Sequence, residues 1–342
     1  MRYANVPCRE KKYPSCKVIV FGNAVNKELL SGNNDVDQYE IFEKGSLFSN
    51  MKKAKMYNAD FACAVTPSFA NLAALYLAGI PCISAPAVEG GWSPYETKTY
   101  KILRRLVRTV PHSMGSYAPR EYLRLLEPMH IKTDNTEKHL SFSSEAREKV
   151  SLFLSENKVM VGRDFVVCIS PSAGNKIKKW SEQNFANLTA RIITEYNAKV
   201  IFIGGKNDSA EVEFTKKLLG NVPVVDTCGL FTMDELKALI AQMSVFISVD
   251  TGPVYIAEAF GVPTIDIVGP MDEREQPPRG KKHKVVVGKR MAPELHIMNA
   301  RVYNETEARR QIDIITIDEV MDTFYELFPE SIVPRVRCCC LI

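Results

Sequence analysis

The sequence has no apolar run long enough to cross a membrane. A membrane-spanning helix needs about 20 mostly apolar residues, and every hydrophobic run in this chain of 342 residues is shorter. The first residues, MRYANVPCREKKYP, are also too polar for the hydrophobic part of a secretory signal. The sequence therefore predicts a protein that stays in the cytoplasm.

Residue clusters with metal-binding or redox spacing are also lacking. Of nine cysteines, six are scattered without C-x-x-C spacing, namely Cys8, Cys16, Cys63, Cys82, Cys168 and Cys228. This scatter favours reduced thiols over a disulfide framework. The five histidines are isolated as well, namely His112, His130, His139, His283 and His296. The sequence therefore predicts no metal site and no cofactor.

Neither common nucleotide-binding fingerprint occurs. There is no G-x-G-x-x-G and no G-x-x-x-x-G-K-[ST], so neither a dinucleotide site nor a P-loop is predicted. The net charge of +4 is too small to indicate nucleic acid as a partner. Two basic clusters, 101–108 and 279–284, favour solvated faces, with an anionic membrane surface or an acidic substrate as the alternative. In the first of them, Lys101, Arg104, Arg105 and Arg108 recur with helical spacing.

What the sequence does have is a regular alternation of strands and helices from residue 165 onward. Apolar runs predict five strands, at 165–170, 199–205, 223–229, 245–249 and 264–269. Helical patterns lie between them, and two begin with capping boxes, at Thr232 and Thr316. This order is typical of a parallel, doubly wound α/β sheet. The first half repeats it less regularly, so we predict two domains, 1–150 and 151–330.

The most informative stretch is Asp250-Thr251-Gly252-Pro253, which joins a predicted strand to a predicted helix. Ligands of open parallel sheets bind beyond the carboxyl ends of the strands. The N–H groups at the start of a helix favour an anion, Gly252 lets a phosphate approach the backbone, and Asp250 can accept hydrogen bonds from sugar hydroxyls. The alternative is purely structural, with Asp250 or Thr251 as an N-cap and Pro253 in the first turn.

Two further strand ends carry small residues. The strand at 165–170 is followed by Pro171-Ser172-Ala173-Gly174 and then by a lysine-rich stem that ends at Trp180. The strand at 199–205 ends in two glycines. Small-residue loops with positive charge bind phosphates. Three such ends at one edge of a sheet predict a continuous groove for a nucleotide.

Three segments carry a resemblance to a known family. SPSAGNKIKKWSEQNFANL, KVIFIGGKND and LFTMDELKALIAQMSVFISVDTGPVYIAEAFGVPTIDIVGP resemble the C-terminal half of the heptosyltransferase family of GT-B glycosyltransferases. The resemblance implies an α/β fold of two Rossmann-like domains facing a cleft. It also implies an inverting, metal-independent transfer of a heptose-like sugar. The donor would be a nucleotide diphosphate sugar similar to ADP-heptose, bound by the C-terminal domain. The acceptor would be lipopolysaccharide or a related lipid-linked or oligosaccharide glycan, met at the inner face of the inner membrane.

The resemblance also assigns residues to the donor site. It implies that Asp250 contacts the donor sugar, that Thr251 and Gly252 bind the diphosphate, and that Lys178 meets the phosphate or the sugar. By position, the resemblance implies that Ala173 and Gly174 line the diphosphate. It implies that Thr232 and Met233 pack against the nucleoside. Tyr255 stands where the family usually has histidine, and a tyrosine donates a hydrogen bond without carrying charge near neutral pH.

The N-terminus departs from the family pattern. Members begin with a strand and a Gly-Asp loop whose aspartate is taken as the general base, ahead of an element similar to KKYPSCKVIV. Ten residues precede Lys11 here, and MRYANVPCRE contains no aspartate. The first strand and the base loop are therefore expected to be missing, and no catalytic residue is assigned. A chain that starts late is the first interpretation, since losing a central strand exposes neighbouring strand edges. The alternatives are a catalytically impaired nucleotide-sugar-binding protein and a GT-B-like sugar-nucleotide epimerase.

Overall fold

The computed structural model describes Tyr13 and residues 15–329, in which strands alternate with helices. The strands are β1 (Ile19–Gly22), β2 (Gln38–Ile41), β3 (Phe61–Cys63), β4 (Cys82–Glu89), β5 (Arg108–Ser113), β6 (Val166–Ser170), β7 (Lys199–Phe202), β8 (Val225–Asp226), β9 (Val245–Val249), β10 (Thr264–Val268) and β11 (His283–Val287). The α-helices are α1 (Ala24–Leu29), α2 (Leu47–Met56), α3 (Phe69–Leu77), α4 (Lys98–Arg104), α5 (Ala118–Arg124), α6 (Ser144–Glu156), α7 (Glu182–Tyr196), α8 (Ser209–Leu219), α9 (Met233–Ile240), α10 (Gly252–Ala259), α11 (Glu305–Asp313) and α12 (Ile317–Leu327). In this part of the chain, no helix combines the length and the hydrophobicity that a membrane span requires.

The chain divides into two compact units. The first contains the described residues up to His139 together with 274–276 and 295–303. The second contains Leu140–Glu273, Pro277–Glu294 and the residues from Asn304 onward. The division therefore falls before α6, whereas the sequence-predicted domains meet at 150–151.

The second unit contains one parallel sheet of six strands in the order β11-β10-β9-β6-β7-β8. The chain enters at the centre with β6, adds β7 and β8 on one side, and then adds β9, β10 and β11 on the other. This is the doubly wound α/β arrangement that the alternation of elements predicts. The direction of winding reverses between β6 and β9, and such a switch point is where open α/β sheets bind ligands.

Apolar helix faces seal this sheet. Phe185, Leu188 and Ile192, which the sequence places on one face of α7, are each 0% exposed. Full burial of side chains of this size contributes roughly 1.5–3 kcal/mol each. The capping boxes at Thr232 and Thr316 are both formed, so α9 and α12 begin where the sequence predicts.

The first unit contains two separate parallel sheets, β1-β2 and β3-β4-β5. In the second unit, the central strand β6 joins the two halves of one sheet. Among the described strands of the first unit, none joins β1 to β3 into a single sheet. The residues before Lys11, where a strand is expected to be missing, lie outside the described part of the chain. Glu275 helps to attach segments 274–276 and 295–303 to the rest of the first unit. Its carboxylate accepts hydrogen bonds from Gly115 N at 2.7 Å and from Ile297 N at 2.6 Å.

One sequence prediction about the basic segments is wrong. The helical spacing around Lys101 predicts one helix through Arg108, but α4 ends at Arg104 and Arg108 begins β5. Parallel pairing with β4, in which Val110 is buried opposite Pro86, overrides the local pattern. In the second basic cluster, 279–284, Arg279, Lys281 and Lys282 are exposed, and the last two residues begin β11, which the sequence did not predict.

Candidate functional site

The predicted site lies at the switch point of the second unit. Lys178 belongs to a short 3-10 turn, Lys176–Lys178, in the loop after β6, and Asp250 directly follows β9. Because β6 and β9 are neighbouring parallel strands, their carboxyl ends lie side by side. The structure thus brings together two residues that are 72 positions apart in the sequence.

Lys178 and Asp250 form an ion pair between a partly buried lysine and a buried carboxylate. Lys178 Nζ donates to Asp250 Oδ2 at 2.6 Å, and the side chains are 18% and 4% exposed. Both neighbouring lysines pair with other groups, Lys176 with Glu211 and Lys179 with Glu182. Lys178 is therefore the lysine of this turn whose charge lies at the switch point.

Trp180 fixes the position of the turn. Its side chain is fully buried, its ring packs edge-on against Phe185 with 5.2 Å between centroids, and its Nε1 donates to the carbonyl of Ile315 at 2.9 Å. Asn175 caps the start of the turn by accepting from Ile177 N. The Lys-x-Trp spacing thus combines a core anchor with a cation at the edge of the sheet.

Tyr255 lies in the first turn of α10 and provides the second hydrogen bond to the Asp250 carboxylate. Its hydroxyl donates to Asp250 Oδ1 at 2.7 Å, and the residue is 2% exposed. Burial raises the pKa of the Asp250 carboxyl, but the charge of Lys178 and the hydrogen bonds from Lys178 and Tyr255 outweigh burial and lower it. Burial and the negative charge of Asp250 hold the pKa of Tyr255 well above its usual value. Tyr255 is thus a neutral donor and Asp250 an anion near neutral pH.

The start of α10 fits the structural N-cap interpretation in its positions, with Pro253 in the first turn, but not in its hydrogen bonds. Thr251 occupies the N-cap position, but its side chain makes no capping hydrogen bond, and its Oγ1 is buried with no partner among residues 15–329. The Asp250 side chain is held by Lys178 and Tyr255. Gly252 is exposed, and a Cβ built there would meet no atom within 4 Å. The helix start therefore offers an open backbone and a hydroxyl to a ligand.

The remaining predicted residues lie earlier in the loop after β6 and at the start of α9. Ala173 is 1% exposed in the loop after β6, while Gly174 is exposed with open space where a Cβ would be. Thr232 and Met233 begin α9, which packs against α10. The Thr232 hydroxyl accepts from Glu235 N at 3.3 Å and so has a structural role as a helix cap. The contact of Thr232 and Met233 with the nucleoside stays a prediction.

Comparison with known proteins identifies the family. The model of glycosyltransferase family 9 (heptosyltransferase) matches residues 88–301, which is more than half of the chain. The chain belongs to glycosyltransferase family 9. Lipopolysaccharide heptosyltransferase 3 of Escherichia coli K12 is 23% identical over 273 residues, covering 77% of this chain and 76% of that protein.

Solved structures of family 9 glycosyltransferases share the fold. The crystal structure of a family 9 member from Veillonella parvula superposes with a TM-score of 0.73 at 16% identity, covering 93% of this chain and 90% of that one. The E. coli heptosyltransferase WaaC with ADP-2-deoxy-2-fluoro heptose superposes with a TM-score of 0.61 at 14% identity, covering 92% and 90%. The predicted α/β fold of the GT-B glycosyltransferases is thereby confirmed.

In this family 9 glycosyltransferase, one charged residue near the site was not predicted from the sequence. Asp266 lies in the middle of β10 and is 0% exposed. Its carboxyl group lies within electrostatic reach of Asp250 and Lys178. The one sequence signal for it is a carboxylate inside an otherwise apolar strand, TIDIV.

Proposed function

We propose that this chain transfers a heptose-like sugar from a nucleoside diphosphate sugar to a lipopolysaccharide core or related glycan acceptor. The observation that carries the proposal is the partly buried Lys178–Asp250 pair beside the open start of α10 at the switch point. A cation, a helix N-terminus and an unshielded glycine suit a diphosphate, and a carboxylate suits sugar hydroxyls. An E. coli relative that shares the fold was solved with ADP-2-deoxy-2-fluoro heptose, so the proposed donor is ADP-heptose.

The proposed reaction is an inverting displacement at the anomeric carbon. A base takes the proton of the acceptor hydroxyl, the oxygen forms the new bond to the anomeric carbon, and the bond from that carbon to the diphosphate breaks. Lys178, Thr251 and the N–H groups at the start of α10 would stabilise the negative charge on the departing diphosphate without a metal ion. Asp250 would hold the sugar through its hydroxyls. No residue is assigned as the base.

The proposal is tested by titrating the chain with ADP and with ADP-heptose in a calorimeter, and by assaying transfer to a lipopolysaccharide core acceptor. We expect saturable binding of both nucleotides and release of ADP on transfer. Binding without transfer would favour the alternative of a nucleotide-sugar-binding protein. Failure to bind either nucleotide would remove the donor-site assignment.

Gly252→Ala separates the ligand role of the helix start from its structural role. The added methyl meets no protein atom within 4 Å, and alanine is a better helix residue than glycine, so the unfolding temperature should stay the same or rise slightly. The methyl would occupy the space through which a phosphate approaches, and we expect the affinity for ADP to fall at least about tenfold. Ser144→Ala, at the equivalent position of α6, is the matched control and should leave ADP binding unchanged. Equal ADP affinity in the Gly252→Ala variant would place the diphosphate elsewhere.

We also propose that the first basic cluster contacts an anionic membrane surface. Lys101 and Arg104 both pair with Glu96, but the Lys101 side chain stays 51% exposed, and Arg105 and Arg108 are exposed as well. Replacing Lys101, Arg105 and Arg108 by Gln should weaken binding to vesicles of phosphatidylglycerol about 10- to 100-fold, and added salt should weaken binding of the native chain. The same exchange at Arg279, Lys281 and Lys282 is the control. If the native chain does not bind vesicles at low salt, the cluster is a solvated face and not a membrane contact.

A further inference from the structure

Asp266 is a buried carboxyl group in the middle of β10. Its neighbours along the strand, Ile265 and Ile267, point to the opposite face and are also 0% exposed, so β10 is buried on both faces. Asp266 is also 0% exposed, and neither of its carboxylate oxygens has a hydrogen-bond partner among residues 15–329. An ionised carboxylate without donors is very costly in such a place, and a buried group of this kind takes up a proton instead.

Asp266 lies in a row of polar side chains that leads to the site. In the parallel ladder it is paired with Ser248 of β9, which is paired with Ser170 of β6. Side chains alternate between the faces of a strand, so Asp250, two residues after Ser248, lies on the same face at the end of the row. Asp266 therefore lies on the same face of the sheet as Asp250, one strand away, and the Ser248 hydroxyl between them has no hydrogen-bond partner among residues 15–329.

The charged and titratable groups around Asp266 come from three elements. They are Asp250 at the end of β9, Lys178 in the 3-10 turn, and Tyr255 and Glu258 of α10. The neighbouring strand β11 contributes Val285, which is paired with Asp266 in the ladder. Val320, Met321 and Phe324 of α12 pack in the core with Ile265 and Ile267, on the opposite face of β10. The charged and titratable groups thus include one cation, Lys178, and three carboxyl groups, those of Asp250, Glu258 and Asp266.

We propose that Asp266 keeps a proton, so that the Asp250–Asp266 pair carries one negative charge that Lys178 balances, and that this balance lets an anionic diphosphate reach the start of α10. This inference rests on the proposed function, because it assigns Asp266 as a positioning residue of the donor site. Loss of the proton would leave two negative charges against one lysine beside the proposed diphosphate site. Burial, followed by the charge of Asp250, holds the pKa of Asp266 well above its usual value, although Lys178 acts in the opposite direction.

Thermal unfolding of the native chain and of Asp266→Asn tests the proton. An unfolded aspartate ionises near pH 4, and the folded group ionises at a higher pH, so the folded chain binds more protons. The native chain should therefore lose stability relative to Asp266→Asn as the pH rises from about 4.5 to about 8. We expect the difference in unfolding temperature to change by about 3 °C or more in favour of the variant. Ser248→Ala, which removes a neighbouring buried hydroxyl that does not titrate, should give a curve parallel to the native one.

Titration with ADP tests the connection to the site. As the pH rises from neutral to the highest value at which the chain stays folded, the affinity of the native chain should fall at least about fivefold more than that of Asp266→Asn, because the variant cannot gain the second negative charge. Calorimetry of the native chain in two buffers of different ionisation enthalpy should show proton uptake on ADP binding in the same range. This second measurement needs no variant.

The outcomes are distinguishable. A constant stability difference between the native chain and Asp266→Asn at every pH would overturn the assignment of the proton. Parallel ADP affinity curves, with no proton uptake by the native chain, would overturn the role of Asp266 in ligand binding. If the native chain binds no ADP at any pH, the proposed function fails, and the unfolding curves still decide whether Asp266 holds the proton.

Discussion

Asp250→Asn is expected to bind ADP-heptose roughly 10- to 150-fold more weakly than the native chain. The estimate is the usual loss for a hydrogen bond to a charged group, about 1.5–3 kcal/mol. The amide keeps the size of the side chain and can still accept one hydrogen bond from a sugar hydroxyl. It removes the charge that holds Lys178 in place, so both the sugar contact and the position of the cation are affected. The measurement is calorimetric titration at neutral pH.

The same variant should lose stability at neutral pH and not at low pH. Because the folded pKa of Asp250 is lowered, its ionised form contributes stability above the unfolded pKa near 4, and this contribution disappears as the pH falls through the folded pKa. Asp250→Asn lacks the contribution at every pH. The difference between the two unfolding curves should therefore shrink on acidification, whereas the stability of Asp266→Asn relative to the native chain changes with pH in the opposite direction.

Asp226→Asn is the matched control for Asp250→Asn. Asp226 ends β8 in the same sheet and pairs with Lys216 at 3.0 Å, so the exchange also removes a carboxylate bound to a lysine. It should leave the affinity for ADP-heptose unchanged. Equal affinity of the native chain and Asp250→Asn, or an equal loss in both variants, would contradict the assignment of Asp250 to the donor sugar.

The fold of the second unit was predictable because local signals agree with tertiary packing. The strands from β6 to β10 are apolar runs bounded by turn residues, and the helices between them carry caps and one apolar face. β5 and β11 were missed because both begin at basic residues, Arg108 and His283, and their pairing with neighbouring strands is not visible in the local pattern. Non-local hydrogen bonding decides the conformation of such edge segments.

The central contact of the site was predictable, and its polar interior was not. Lys178 and Asp250 each follow a strand, and the order of strands in a doubly wound sheet brings those ends together. The hydrogen bond from Tyr255 to Asp250 depends on how α10 leaves the sheet, which no spacing rule specifies. Asp266 stands within an apolar strand, and the sequence alone does not say that its side chain is on the same face as Asp250.

Trp180→Ala is expected to have the largest effect on stability. The indole is fully buried, packs against Phe185 and donates to the carbonyl of Ile315, so the exchange leaves a large cavity and an unpaired carbonyl. Loss of a buried tryptophan costs about 3–5 kcal/mol. For a unit of this size the unfolding temperature should fall by roughly 6–20 °C. Circular dichroism during heating measures the fall.

Trp180→Ala should also weaken ADP binding by the protein that remains folded, by about tenfold. Trp180 is two residues from Lys178, and without its anchor the turn can move, so the ammonium group is no longer held beside Asp250. Phe324→Ala is the matched control, because Phe324 is 0% exposed in the same core but lies on α12. It should reduce stability by a similar amount while leaving ADP affinity unchanged at a temperature where both variants are folded. If both variants lose affinity equally, Trp180 acts only through the stability of the unit and does not position Lys178.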